Sequence, residues 1–201
     1  MEGSIIIMRR RTFDALMASA GLVIALVLTA AGGLMLWAHN FVDHQVTTQL
    51  SSQQIYFPEK GSDSLNVPQI KPYLEQYAGQ QLTTGPQAKA YADHYIAVHV
   101  SEMTGGKSYA QVSADSMAHP DNQKLAGLKQ TVFQGETLRG LLLNAYAFAT
   151  MGTIALYGAI ASFVGAVLML VLSLLGLGHL RRTPASAEIK LGTRHAVPAA
   201  V

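Results

Sequence analysis

The stretch "RRRTFDALMASAGLVIALVLTAAGGLMLWAHN", Arg9 to Asn40, carries three arginines and one aspartate and then no further charge. Residues 13–37 are apolar or small after Asp14, a run long enough for a ~30 Å hydrocarbon core with some tilt. Trp37 closes the run where an interfacial aromatic belongs. A second block, Gly140 to Leu180, is equally uncharged and is followed by Arg181 and Arg182. As a single helix it would reach ~60 Å, twice the hydrocarbon thickness. Its span is therefore placed at 154–178, just before His179 and the arginines. The preceding "LLLNAYAFATMG" then lies at headgroup level or packs on the external segment.

Working outward, both arginine clusters flank the blocks on their outer sequence sides. The positive-inside rule then puts both termini in the cytoplasm and the intervening segment outside a plasma membrane. That segment holds nine acidic and seven basic residues between Trp37 and Gly140, which agrees with export. A cleavable signal peptide is the competing reading of the first block. Its apolar run exceeds the usual 7–15 residues, and "LMLWAHN" makes a poor cleavage site. Translation beginning at Met8 instead of Met1 is a further alternative.

Composition narrows the function. Of 201 residues half are hydrophobic and 13% charged, against roughly a quarter charged in soluble proteins. A net charge of +2 without a basic stripe points away from nucleic acid. The absence of cysteine excludes disulfides, thiolate metal sites and a cysteine nucleophile.

The spacing predicts a mainly α protein: a cytoplasmic N-terminus at 1–12, transmembrane helices at 13–37 and 154–178, and a small α-helical extracytoplasmic domain at 38–153. A disordered cytoplasmic tail at 179–201 follows, since it shows neither period nor sustained apolarity. Within the external segment, Ile55 to Phe57 reads as a short extended patch, and "IKPYLEQYAG" as a short helix ending at Gly79. Thr84 with Gln87 fits a capping box that opens a helix at 86–104. Ala88, Tyr91, Ala92, Tyr95, His99 and Met103 form its apolar stripe, and Gly105-Gly106 stops it. A second helix at 123–150, with Leu125, Leu128 and Val132 on one face, leads back to the membrane.

Three features invite a chemical reading. The Gly106-Lys107-Ser108 triplet resembles the end of a phosphate-binding loop, yet that loop needs glycine where Ser101 stands, and a strand before it. A cap followed by a polar turn is the better account, and no nucleotide partner is expected. His94 and His99 are five apart, about 140° around a helix, whereas a two-histidine helical site uses a spacing of four. A site assembled in space from His94 or His99 with His119 and Asp93 stays open as an alternative. Gly21, Ala25, Thr29 and Gly33, with Gly158, Ser162 and Ala166, repeat every four residues and predict close helix pairing in lipid. No ionisable residue lies deep in either span, which argues against an ion pathway.

The run "QQIYFPEKGS…YAGQQLTTGPQAKAYADHYIAVHVSEMTGGKSYAQVSA…VFQGETLRGLLLNAYAFATMG" resembles a group of small actinobacterial two-span membrane proteins of no established function. "GGKSYAQ" and "GETLRGLLLNAYAF" are its most specific parts. Such proteins often carry the label aromatic ring-opening dioxygenase. That chemistry uses non-haem iron held by two histidines and a carboxylate. The resemblance implies the topology and brings no catalytic residues. The expected role is a non-enzymatic accessory or scaffold in the envelope, with no cofactor, whose partners are the bilayer and another envelope protein or a second copy. The alternatives are a metal-dependent external site on those histidines and a subunit of a transport assembly.

Overall fold

The computed structural model describes residues 6–184 and 187–191. The chain is mainly helical and divides into two compact units, 1–36 with 157–201, and 37–156. Two long helices contribute to both: α1 (Arg10–Ser52) and α6 (Gln123–Arg182). Each contains a stretch long and apolar enough to cross a membrane.

In the first unit, α1 and α6 run antiparallel. Their contact is built from small residues: Ala18, Gly21, Ala25 and Gly32 are buried on α1, and Ala159, Ala166 and Ser173 on α6. A Cβ on Gly32 would meet the Phe163 ring at 3.0 Å, and one on Gly165 would meet Leu28 at 3.2 Å. Ala18, Ala25 and Gly32 are seven apart, as are Ala159, Ala166 and Ser173. The expected four-residue stripe is corrected here, because Thr29 and Gly33 face outward. A four-residue step overshoots one full turn by about 40°, so its third repeat has left the contact. A seven-residue step drifts only about 20° and stays in it, which is the geometry of left-handed pairing. The large apolar residues point away: Leu26 is 71% exposed and Leu175 66%.

Before and after these helices, β1 (Ile6–Arg9) pairs antiparallel with β2 (Glu188–Leu191), with Ile6 opposite Leu191 and Arg9 opposite Glu188. This corrects the expected tail at 179–201, whose first four residues belong to α6 and whose residues 188–191 form a strand. The antiparallel helix pair brings the two flanks to one end, and β-branched residues on both sides suit a ladder. Residues 185–186 and 192–201 of that tail lie outside the described residues.

The second unit wraps a loop and short helices around the remaining parts of α1 and α6. After α1 ends, Phe57 N–H donates to the Gln80 carbonyl (2.9 Å) and Leu82 N–H to that of Ile55 (2.8 Å), so the predicted extended patch is paired. A short helix α2 (Lys71–Leu74) tightens into a 3₁₀ turn at Glu75–Tyr77. Helix α3 (Gly85–Tyr91) passes through a π turn at Ala92–Ile96 into α4 (Ala97–Thr104). An unpredicted helix, α5 (Tyr109–Ala118), precedes α6. Leu65, Ile70, Leu74 and Leu82 meet Val46 and Leu50 of α1 and Val132 and Leu142 of α6 in one core. The segment "LLLNAYAFATMG" therefore packs on this unit through Leu142, Ala145 and Ala149.

Candidate functional site

The Thr84 capping box forms as predicted, and Gln87 does more than cap. Its side chain is nearly buried, accepting from the Thr83 and Thr84 amides at 2.9 and 3.1 Å and donating to Gln80 at 3.2 Å. Past it, Ala88, Ala92, Ile96, Val100 and Thr104 are buried at strict four-residue intervals. The π turn underwinds the helix midway and offsets part of the drift such a repeat would otherwise build up. This corrects the expected stripe: Tyr91, Tyr95 and His99 are only partly buried and Met103 is 48% exposed. The three rings instead form a ladder along the helix, Tyr91 to Tyr95 at 4.7 Å and Tyr95 to His99 at 4.4 Å. Phe57 closes on Tyr91 edge-on at 5.4 Å. Burial, followed by the neighbouring Tyr95, pushes the Tyr91 hydroxyl up to about 12.

The histidines are placed one by one. His94 stacks flat on Tyr73 with ring centres 3.6 Å apart. His99 Nδ1 lies 2.8 Å from the Tyr95 carbonyl, and His119 Nδ1 3.0 Å from that of Asp115. His39 Nδ1 lies 2.9 Å from the Gly152 carbonyl. Asp93 pairs with Lys89 one turn back and with Arg139 at 3.5 Å. The hydrogen bond from Lys89 holds the Asp93 carboxyl below its usual range, and the same contact raises Lys89. Lys89 also lies over the Tyr146 ring at 5.5 Å. Among the described residues no three His, Cys, Asp or Glu side chains come together as a metal-holding group. His94, His99 and His119 thus do not assemble the donor set of a non-haem iron centre.

The Gly-Lys-Ser triplet resolves into two helix ends. Gly106 N–H donates to the Ser101 carbonyl (2.8 Å) and Gly105 N–H to that of Glu102 (3.4 Å), the paired bonds of a Schellman stop. Both glycines have positive φ, +61° and +81°. Lys107 is paired with Asp115 at 2.7 Å, and Ser108 caps α5 in a second capping box with Gln111. The signal for α5 was present in "SYAQ", the same Ser-x-x-Gln pattern in which Thr84 and Gln87 were recognised.

Two of the cavities among the described residues bear on these features. In the first unit, a pocket of about 300 Å³ is lined by Asp14, Ser173 and His179 among apolar neighbours. One Asp14 oxygen is buried there without a hydrogen bond, and Arg10 approaches it only to 4.0 Å. In the second unit, a cleft of about 570 Å³ runs between α1 and α6. Its floor is Val46, Leu50 and Leu142. One wall carries Gln45 and Gln49 of α1 and Gln53 of the turn after it, and its α6 wall Leu138, Leu141 and Asn144. Phe41 and Phe148 stand at one end. No ionisable side chain lines it. Sequence reasoning missed this cleft, although Gln45 and Gln49, four apart, share one helix face.

The chain matches no protein-family model, no curated protein and no solved structure.

Proposed function

We propose that this chain is a two-pass plasma-membrane protein with both termini in the cytoplasm, presenting the unit 37–156 outside the cell as an accessory or scaffold for another envelope protein. One observation carries the membrane assignment. The apolar stretches of α1 and α6 meet chiefly through alanine, glycine and serine while most of their leucines and valines face outward, so only 22% and 11% of those windows is buried. A core helix of a water-soluble protein hides such residues. Lipid is the solvent that accepts them, and close backbone packing is what joins helices there.

Orientation rests on Arg9 to Arg11 and on Arg181 and Arg182. The resemblance to two-span actinobacterial proteins agrees with this reading. The scaffold role rests on the chemistry of the unit 37–156, in which His94 stacks on Tyr73, His99 bonds the Tyr95 carbonyl and Asp93 is ion-paired with Lys89. A reporter active only in the cytoplasm tests the topology. It is expected to work when fused after Val201 and to fail when inserted at Gly61, in the loop between α1 and α2. The reverse pattern overturns the orientation.

A further inference from the structure

We infer that the pocket between the start of α1 and the end of α6 is a binding site for a primary ammonium group carried on a short hydrocarbon stem. The inference goes beyond the scaffold reading and stands on the pocket's own polar groups.

Three of them face one space of about 300 Å³. Asp14 contributes a carboxylate whose buried oxygen receives no hydrogen bond, because Arg10 Nε stops at 4.0 Å. Ser173 contributes a hydroxyl in a residue only 4% exposed, and none of the side-chain hydrogen bonds among the described residues uses it. That hydroxyl lies against Gly21, where a Cβ would collide with it, so the glycine leaves it room. His179 contributes an imidazole, which in its neutral form has one acceptor nitrogen. A buried carboxylate oxygen and a buried hydroxyl are costly to leave without partners, and together they call for a donor.

Count, charge and size then choose the occupant. A primary ammonium brings three N–H donors and one positive charge to three acceptors and one carboxylate. No lysine or arginine lines the pocket to supply that charge. Magnesium or calcium is a poor match, since each takes about six or more ligands, nearly all oxygens. The volume also far exceeds one ion and reaches the range of small-molecule sites, roughly 300–1,000 Å³. Met17, Met169 and Leu172 supply an apolar wall for the stem. Two sources carry such a group, a soluble alkylamine and the head of an ethanolamine phospholipid. In the two-pass reading this end of the helix pair lies at headgroup level. Arg10, Arg11, Arg181 and Arg182 are exposed there and suit the phosphate of such a head.

The test mixes the full chain in nonionic detergent with oleoyl-lysophosphatidylethanolamine and counts bound lipid by native mass spectrometry. The parent and Asp63→Asn, which removes an exposed charge from the loop after α1, are expected to hold one lipid per chain. Asp14→Asn keeps the shape, removes the charge and is expected to lower occupancy about tenfold. Ser173→Ala is expected to lower it about fivefold. Oleoyl-lysophosphatidylcholine, whose head keeps the positive charge but has no N–H, is expected to bind the parent about tenfold more weakly. Butylammonium, followed by ligand-observed NMR, is the second probe. Butylammonium binding that needs Asp14, with no lipid adduct, keeps the site and makes its ligand a soluble amine. The assignment is overturned if neither probe binds the parent, or if Asp14→Asn binds both as well as the parent does. It is equally overturned if the choline head binds as well as the ethanolamine head. The reporter fusions at Val201 and Gly61 decide topology separately, so either reading can fail while the other stands.

Discussion

The two units solve the burial problem in opposite ways. In the first, the residues hidden between helices are Ala18, Ala25, Ala159, Ala166 and Ser173, and the large apolar side chains face out. In the second, Leu65, Ile70, Leu74, Leu82 and Val132 are almost wholly hidden, and the lysines face out. The same two helices take part in both arrangements. In the two-pass reading proposed above, what differs is the solvent each stretch is built for. In water, removing a leucine from the surface is itself stabilising, by roughly 25 cal/mol per Å² of apolar area. In lipid that gain vanishes, and what remains is how closely two backbones can approach.

Substitutions that exchange the logic of one unit for that of the other should break this contrast most visibly. Leu74→Ala in the core of the unit 37–156 should cost about 3 kcal/mol, read from chemical unfolding of that unit, because it removes a fully buried side chain and leaves a cavity. Val167→Ala, an equally apolar truncation on an exposed face of α6, should cost only a few tenths of that in detergent or bilayer. Equal costs would mean that the apolar face of α6 is covered.

Next in size is the seam between the apolar stretches of α1 and α6. Ala25→Leu should cost about 1–3 kcal/mol of pairing by overfilling a contact that Ala18, Ala25 and Gly32 keep thin. Leu26→Ala should matter little, since Leu26 faces outward. Single cysteines introduced near Trp37 and Tyr157 of this cysteine-free chain would report pairing by cross-linking. The heptad reading adds a sharper contrast. Gly33→Leu should be tolerated and Gly32→Leu should not, whereas a four-residue seam requires the reverse.

The helix stop after α4 offers a smaller effect. A Cβ at Gly105 or Gly106 would meet open space, so Gly105→Val and Gly106→Val should each cost only the left-handed backbone strain, about 1–2 kcal/mol. Lys107→Ala should cost less than about 1 kcal/mol, as an exposed ion pair does. A larger loss at Lys107 than at either glycine would reopen a ligand role for the triplet.

The least disruptive prediction concerns pH. Asp93 is held below its ordinary value of 3.8 by Lys89 and then Arg139. Its contribution is complete above that value and is lost as pH falls through the lower folded value, so Asp93→Asn should flatten the acid limb of an unfolding curve. Tyr91 is raised from 10.0 to about 12, and stability should decline between those values as the hydroxyl is driven to ionise. Tyr91→Phe should remove that alkaline decline in a melting series. An unchanged limb in either variant would show that the group does not govern it.

Much of the fold was legible because its signals are local. The long apolar runs, the Thr84 and Gln87 box and the Gly105-Gly106 stop are each written within a few residues, and each forms. The α5 helix was legible too, through Ser108 and Gln111, but the Gly-Lys-Ser triplet reads as a cap followed by a polar turn, which hides the second cap at Ser108. Three features were out of reach of any local pattern. The pairing of Ile6 to Arg9 with Glu188 to Leu191 joins residues about 180 positions apart. The choice of a seven-residue over a four-residue seam depends on where the partner helix lies. The cleft exists only because Gln45, Gln49 and Gln53 face Leu141 and Asn144 from a distant part of the chain.

The amino-acid sequence alone thus determined the helical class, the two apolar stretches and the helix ends, since these follow from composition, periodicity and capping within one or two turns. Only tertiary structure decided which small residues touch, that His94, His99 and His119 stay apart, and that a neutral cleft opens between α1 and α6. The physical reason is reach. Hydrogen bonds and propensities act on neighbours along the chain, whereas packing, stacking and cavities are set by side chains that the fold brings together from far away.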